Sequence, residues 1–386
     1  MKYIFISVLS FLLFMQFLSA QFSVRLVVTE VATKKDDDIY VSGTFNNWNP
    51  KDPNCKLKPF AGGRKSIVLK DVSSGNYAYK FTRGSFDKVE CLADGREISD
   101  RVVDVSSDIS VDVKIAGWKD EYPERPKRYS ASPQVKIIDT AFNIPQLDRK
   151  RRIWIYLPKG YATSGKKYPV LYMQDGQNLF NEQTAAFGEW GVDECLDTLQ
   201  KNITSECIVI GIDNGGEKRI SEYCPYDYSL KNTFSIPDSK GEGKEYVEFL
   251  VKNLKPYIDS KFRTMKGREY TYIAGSSMGG LISEYAILKY PDVFGAAGIF
   301  SPSFWIAPAI FEEASNSDSK ELSRFYLYGG GKESNTMISD IEKMYEVLGK
   351  KNRYEIARLI NPIGEHKEKF WQQAFTAFYV WLMKKD

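Results

Sequence analysis

The chain has 386 residues, with 53 Lys and Arg against 50 Asp and Glu, 43% hydrophobic residues and 27% charged residues. That balance excludes extended disorder. A formal charge of +3, with no block of basic residues, leaves no electrostatic case for a nucleic-acid partner. At roughly 150 residues per domain, the length predicts two or three domains, each large enough to bury a core.

Residues 1–20 carry Lys2 near the start, continue as an apolar stretch from Tyr3 to Phe17 and end Leu18-Ser19-Ala20. This is the charge, apolar core and small-residue site of a secretory signal peptide, with cleavage expected after Ala20 and a secreted or periplasmic address. The apolar run is short of the ~20 residues that a spanning helix needs. No later run reaches that length, so no membrane association is expected after removal of the leader. The five cysteines, Cys55, Cys91, Cys195, Cys207 and Cys224, form no CxxC, and His366 is the single histidine. Buried thiols are therefore expected, and neither a zinc site nor any cofactor is implied.

Residues 21–115 alternate short β-rich runs with turns. The runs are 24–29, 39–43, 66–69, 77–81 and 109–113, and Asn49-Pro50, Gly62-Gly63, Ser74-Gly75-Asn76 and Asp94-Gly95 punctuate them. Short strands at such spacing predict a β-sandwich. Residues 116–134 carry Pro123, Pro126 and Pro133 among charged residues and serines and read as a linker. From 135 to 386, strand candidates at 151–157, 168–173, 207–212, 270–274, 296–300, 325–328 and 354–360 alternate with helical patterns. The helical patterns lie near 191–201, 244–259, 279–289, 336–349 and 366–384. The alternation predicts an α/β domain with a mostly parallel sheet covered on both faces.

In this second part, the apolar run 270–274 enters Gly275-Ser276-Ser277-Met278-Gly279, and a helical pattern follows at once. G-x-S-x-G in a strand–turn–helix setting holds a serine hydroxyl above the sheet and beside a helix N-terminus, so Ser277 is the candidate nucleophile. A serine hydroxyl needs a base, and His366, after the last strand candidate, is the single imidazole available. The carboxylate that orients it should lie between the two in sequence. Glu333, directly after strand 325–328, is the first choice and Asp340 the second, while Glu365 and Glu368 beside the histidine read as solvated or structural. The backbone N–H groups of Met278 and of Gln177, in the loop after strand 168–173, are the expected oxyanion donors.

The segment 135–386 resembles the Putative esterase family of the α/β-hydrolase superfamily, the group of esterase D, enterochelin-esterase-like proteins and feruloyl esterases. The matching pieces are YPVLYMQDGQNLF, EWGVDECLD, VIGIDNGGEKRISEY, IAGSSMGGLIS, FSPSFW, the glycines before Glu333, and GEHKEKFW. The resemblance implies a Ser277–Glu333–His366 triad and places Trp190, Asn214, Arg219 and Trp305 near the pocket. For the two tryptophans, core packing is the alternative.

The first part, through IYVSGTFNNWNP and GNYAYKFTRG, resembles an immunoglobulin-like starch- or glycogen-binding module. That resemblance implies sugar contacts from Trp48 and Lys80. The partner aromatic is Phe86 where a tryptophan is expected, so a spacer role stands beside sugar binding.

Together these readings lead to a secreted serine esterase acting on acylated carbohydrate, through feruloyl or acetyl esters. Two alternatives are a siderophore-ester hydrolase of enterochelin type and a carbohydrate-binding protein with an inactive hydrolase domain. The expected partners are an ester substrate and a poly- or oligosaccharide. The sequence does not specify the oligomeric state.

Overall fold

A computed structural model describes residues 21–46, 48–122, 126–200, 206–230 and 236–384, so the expected signal peptide lies outside the described residues. The chain divides into two compact units, Met1–Arg125 and Pro126–Asp386. Among the described residues, no helix is long and apolar enough to cross a membrane.

The first unit is built from sheets. Four strands lie in the order Lys58–Phe60, Arg64–Ser73, Gln21–Val31, Ile109–Ile115, and three in the order Tyr40–Gly43, Gly75–Thr82, Arg101–Val105. Period-two alternation puts Val24, Leu26 and Val28 of the first strand into one core with Val41, Phe81, Val105 and Trp118. The short strands at 58–60, 90–91, 101–105 and 117–118 were not anticipated. Their apolar runs are too brief to show a period.

The linker expected over 116–134 is shorter than its composition suggested. Gly117–Trp118 pairs with Glu90–Cys91, and Trp118 is fully buried with its indole N–H on Thr33 O at 3.1 Å. At the other end, the Lys127 ammonium donates to Ala185 O at 2.6 Å, and Ser130 and Ser132 bond to residues of the second unit. A Ser- and Lys-rich segment can dock as well as float when its polar groups find partners, and composition does not distinguish the two outcomes.

The second unit holds an eight-stranded sheet in the order Val135–Ile144, Arg149–Tyr156, Ile208–Ile212, Val170–Gln174, Thr271–Ser276, Ala296–Phe300, Ser323–Gly330, Tyr354–Asn361. The pairings from Ile208–Ile212 through Val170–Gln174 to the last strand are parallel, and Arg149–Tyr156 runs antiparallel to both its neighbours. The parallel strands at 170–174, 208–212 and 296–300 are buried at every residue, which is why they read as unbroken apolar runs. Helix Met278–Lys289 is buried from Met278 to Leu288 and shows no amphipathic stripe. Helix Glu368–Met383 covers the other face through Trp371, Phe375, Phe378 and Leu382.

The helix expected over 244–259 is interrupted. Gly243–Phe249 and Lys255–Lys261 flank a π-turn at Leu250–Leu254. The turn ends next to Pro256, which has no N–H to give to the helical ladder. Strand Val135–Ile144 and helices Arg219–Tyr223 and Ala309–Asn316 were not anticipated. The strand alternates charged and apolar residues weakly, and the two helices are short.

The fold carries the chemistry to one edge of the sheet. Asp175, Ser277, Ser301, Glu333 and His366 all follow the carboxyl ends of five strands that are adjacent in the sheet. Strand Val170–Gln174 lies between Ile208–Ile212 and Thr271–Ser276, a reversal of winding order of the kind that opens a crevice at that edge.

Candidate active site

Ser277 sits between strand Thr271–Ser276 and helix Met278–Lys289 at φ 59° and ψ −121°. A non-glycine residue rarely adopts this conformation, which is held here by the surrounding hydrogen bonds. Ser277 N–H donates to Phe300 O at 2.9 Å, and Ser277 O accepts from the N–H groups of Gly280, Leu281 and Ser303 at 3.1 Å each. The motif's glycines are a steric requirement. A Cβ on Gly275 would lie 2.7 Å from the carbonyl of Gly279 and 2.8 Å from Gln174 Cγ. The residues two before and two after Ser277 approach as closely as the sequence reading expected.

The candidate acid and the candidate base meet. His366 Nδ1 lies 2.7 Å from Glu333 Oε2, and the carboxylate is 1% exposed while the imidazole is 40% exposed. Glu333 Oε1 accepts from the Gly330 N–H at 2.6 Å and from the Ser301 hydroxyl at 2.7 Å. The Ser301 oxygen in turn accepts from the Trp371 indole at 2.8 Å, and the Trp371 ring meets the edge of His366 at 5.0 Å and 89°. Asp340 lies in the first turn of helix Met337–Gly349, with its N–H on Thr336 O.

The hydrogen-bond partner of Ser277 Oγ is the Ser303 hydroxyl at 3.1 Å. A Ser277–His366 hydrogen bond is not among those formed, and catalytic hydrogen bonds often tighten once substrate is bound.

The loop after strand Val170–Gln174 lies against the Ser277 turn. Asp175 is buried at φ 56° and its two oxygens take the Arg219 guanidinium at 2.7 and 2.8 Å, with the Asn214 amide at 2.7 Å. A Cβ on Gly279 would come within 3.2 Å of Asp175 Oδ2. Gln177 lies in the turn Gly176–Asn178, and its side-chain oxygen accepts from the Asn214 N–H at 3.1 Å. Met278 is the first residue of its helix, where backbone N–H groups have no intrahelical acceptor.

Asn214 and Arg219 therefore stand beside the Ser277 turn as supports of Asp175. Trp190 is 3% exposed and packs on Phe300 and Trp371, in the core behind the acid. Trp305 is 44% exposed on the loop that carries Ser303. Glu368 is buried, and burial pushes its carboxyl above the usual range, with His366 and Arg219 partly offsetting this.

Sequence reasoning missed Asp175, Ser301, Ser303 and Trp371. Each lies just beyond a strand end or one helical turn past His366, so position was the available signal.

In the first unit, Trp48 is half-buried at φ 58° and Phe86 is 45% exposed. Lys80 is not presented as a free ammonium. Its side chain is 9% exposed and bridges Glu97 and Asp100 at 3.1 Å each. The five cysteines are thiols, and four of them are buried.

With this geometry established, the model of the family described as Putative esterase matches residues 144–382. The chain belongs to the Putative esterase family. As a member of that family it is an α/β-hydrolase and a carboxylic ester hydrolase.

Relatives include the uncharacterised protein YbbA of Bacillus subtilis, 28% identical over 61% of this chain and 94% of its own length. An endo-1,4-beta-xylanase/feruloyl esterase of Xylanibacter ruminicola is 27% identical over 57% of this chain and 27% of its own. The iron(III) enterobactin esterase of Dickeya dadantii is 30% identical over 42% of this chain and 32% of its own. Two solved structures share the fold. The BES protein of Bacillus cereus has TM-score 0.55 at 19% identity, covering 68% of this chain and 100% of its own. The Shigella flexneri enterobactin esterase has TM-score 0.54 at 16% identity, covering 89% and 88%.

Proposed function

We propose that the protein is a secreted serine esterase that works through Ser277, His366 and Glu333 on esters carried by carbohydrate, feruloyl or acetyl esters in particular. The observation that carries the reading is the hydrogen bond between His366 Nδ1 and the buried carboxylate of Glu333 at the same sheet edge as Ser277. Glu333 holds the imidazole by its Nδ1–H, which leaves Nε2 free to act as a base. Ser277 Oγ attacks the ester carbonyl as Nε2 takes its proton. The tetrahedral oxyanion lies against the N–H groups of Met278 and Gln177, helped by the N-terminus of helix Met278–Lys289. His366 then gives the proton to the leaving alcohol. Water, activated by the same imidazole, releases the acid.

Carbohydrate esters are favoured by the feruloyl esterase relative and by the β-sandwich, with Trp48 and Phe86 as its candidate sugar contacts. A second reading, hydrolysis of a siderophore ester, is favoured by the enterobactin esterase relative. The two separate on a panel of feruloylated oligosaccharides, acetylated xylan and an iron-free catecholate triester, offered to protein beginning at Gln21. Turnover of the sugar esters at least tenfold faster than the catecholate supports the first reading. The reverse order supports the second.

A further inference from the structure

We propose that Glu189, Asp193 and Glu194 form a binding site for a hard divalent cation of the calcium type, outside the catalytic machinery. One carboxylate oxygen from each residue lies within 4.8 Å of the others. Oxygens that ligate one calcium ion at about 2.3–2.6 Å can be up to about 5 Å apart, so the three fit a single coordination sphere.

The arrangement goes beyond a collection of acids. Asp193 is fully buried, its Oδ2 accepts from the Ser132 N–H at 2.7 Å, and its Oδ1 is buried without a hydrogen-bond partner. Glu189 repeats the pattern. Its Oε2 accepts from the Ser130 hydroxyl at 2.8 Å, and its Oε1 is buried without a partner. Two carboxylates are thus each pinned through one oxygen, with the other buried and unsatisfied.

The hydroxyl of Ser132, the residue whose N–H holds Asp193, is also buried without a partner. Glu194 supplies the third carboxylate from the exposed side, near enough to Asp193 for a proton to bridge the two when no ion is bound. Among the described residues, no Lys, Arg or His makes an ion pair with any of the three.

A buried acceptor left unsatisfied costs free energy, and more so when charged. The start of helix Val192–Leu199 accounts for one favourable acid, since a helix N-terminus attracts a single negative charge. It does not account for three that converge. An all-oxygen donor set selects a hard ion over zinc or copper. Bound there, the ion joins the segment carrying Ser130 and Ser132 to the loop carrying Trp190, which packs against Trp371. Its role would be to brace the wall behind the acid. Cys and His spacing does not register it, because its three carboxylates fall within the six residues 189–194.

The test is calorimetric titration of chelator-treated protein, residues 21–386, with calcium chloride, alongside thermal unfolding with and without about 10 mM calcium. The expected result is one saturable site per chain in the sub-millimolar to millimolar range. Tm should rise by about 5 °C or more when calcium is at roughly a hundred times Kd. Glu194→Gln, at the exposed edge, should fold normally and bind at least about tenfold more weakly. Glu189→Gln should do the same, and Glu182→Gln, outside the cluster, should bind as wild type does. Asp193→Asn adds the central ligand, but if it fails to fold the Glu194 and Glu189 variants carry the result. Absence of saturable binding and of any Tm rise with calcium, magnesium or manganese would overturn the proposal. So would wild-type calcium affinity in both Glu194→Gln and Glu189→Gln, the outcome expected if Asp193 and Glu194 merely share a proton.

Discussion

The indole N–H of Trp371 donates to the hydroxyl of Ser301 at 2.8 Å, and that hydroxyl in turn donates to Glu333 at 2.7 Å. With the Gly330 N–H on the same carboxylate oxygen, the acid keeps its other oxygen for His366. Ser301 is fully buried and adopts a positive φ of 44° to reach this position. Two residues outside the Ser–His–Glu set therefore fix where the carboxylate points. Precise placement of an acid by supporting hydrogen bonds is a general feature of sites of this type.

That chain gives the first prediction. Trp371→Phe keeps an aromatic edge against His366 and removes the donor to Ser301. Ser301→Ala removes the donor to Glu333. Both should lower kcat by roughly tenfold while leaving KM close to wild type, because they act on the position of the acid rather than on substrate. Steady-state kinetics on p-nitrophenyl acetate checks this. A rise in KM at unchanged kcat would instead make them substrate contacts.

The second prediction separates the two candidate acids. Glu333→Gln should cost several orders of magnitude in kcat, since an amide holds the imidazole in the wrong tautomer, an effect of about 10⁴ in serine hydrolases. Asp340→Asn should remain near wild type. If the two results were exchanged, the assignment of the acid would fail.

A third prediction concerns Glu284, fully buried in helix Met278–Lys289 with both oxygens lacking a partner. Burial alone pushes its carboxyl well above the usual range. The folded protein therefore holds a proton there that the unfolded chain loses above its ordinary pKa of 4.5. Stability from this group is fully present below that value and is lost as pH rises toward the folded pKa, at about 1.4 kcal/mol per pH unit. Glu284→Gln removes that loss. The Tm difference between variant and wild type should be small near pH 4.5 and should widen in favour of the variant toward pH 8. A difference that stays constant with pH would contradict the buried, protonated state.

The fourth prediction divides the residues of the β-sandwich. Lys80 is engaged with Glu97 and Asp100, whereas Trp48 is half-buried and Phe86 exposed. If the sandwich binds sugar, Trp48→Ala should weaken retention on an insoluble polysaccharide. Lys80→Met should leave retention intact and lower the Tm of this unit. Loss of retention in Lys80→Met at unchanged Tm would restore the lysine as a sugar contact.

The sequence made the catalytic half legible where its signals were local. Gly275 and Gly279 mark a turn that no side chain fits, and continuous apolar runs mark strands buried on both faces. That Glu333 and His366 reach the same edge as Ser277 followed from chain order, since parallel strands deliver their loops to one edge.

What escaped depended on partners distant in sequence. Ser301 is held by Trp371, 70 residues away, and Asp175 by Arg219, 44 residues away. The segment 126–134 looked like a spacer because nothing local shows that Asn181, Glu189 and Asp193 receive its serines. Lys80 looked available because its acidic partners lie elsewhere in the unit.

Whether Ser277 is a nucleophile activated by His366 is read directly by stoichiometric labelling with a fluorophosphonate, followed by peptide mapping in a mass spectrometer. One adduct per chain is expected, on Ser277, lost in Ser277→Ala and slowed by at least about a hundredfold in His366→Ala. An adduct on Ser276 or Ser303, or labelling of Ser277 at an undiminished rate in His366→Ala, would contradict it.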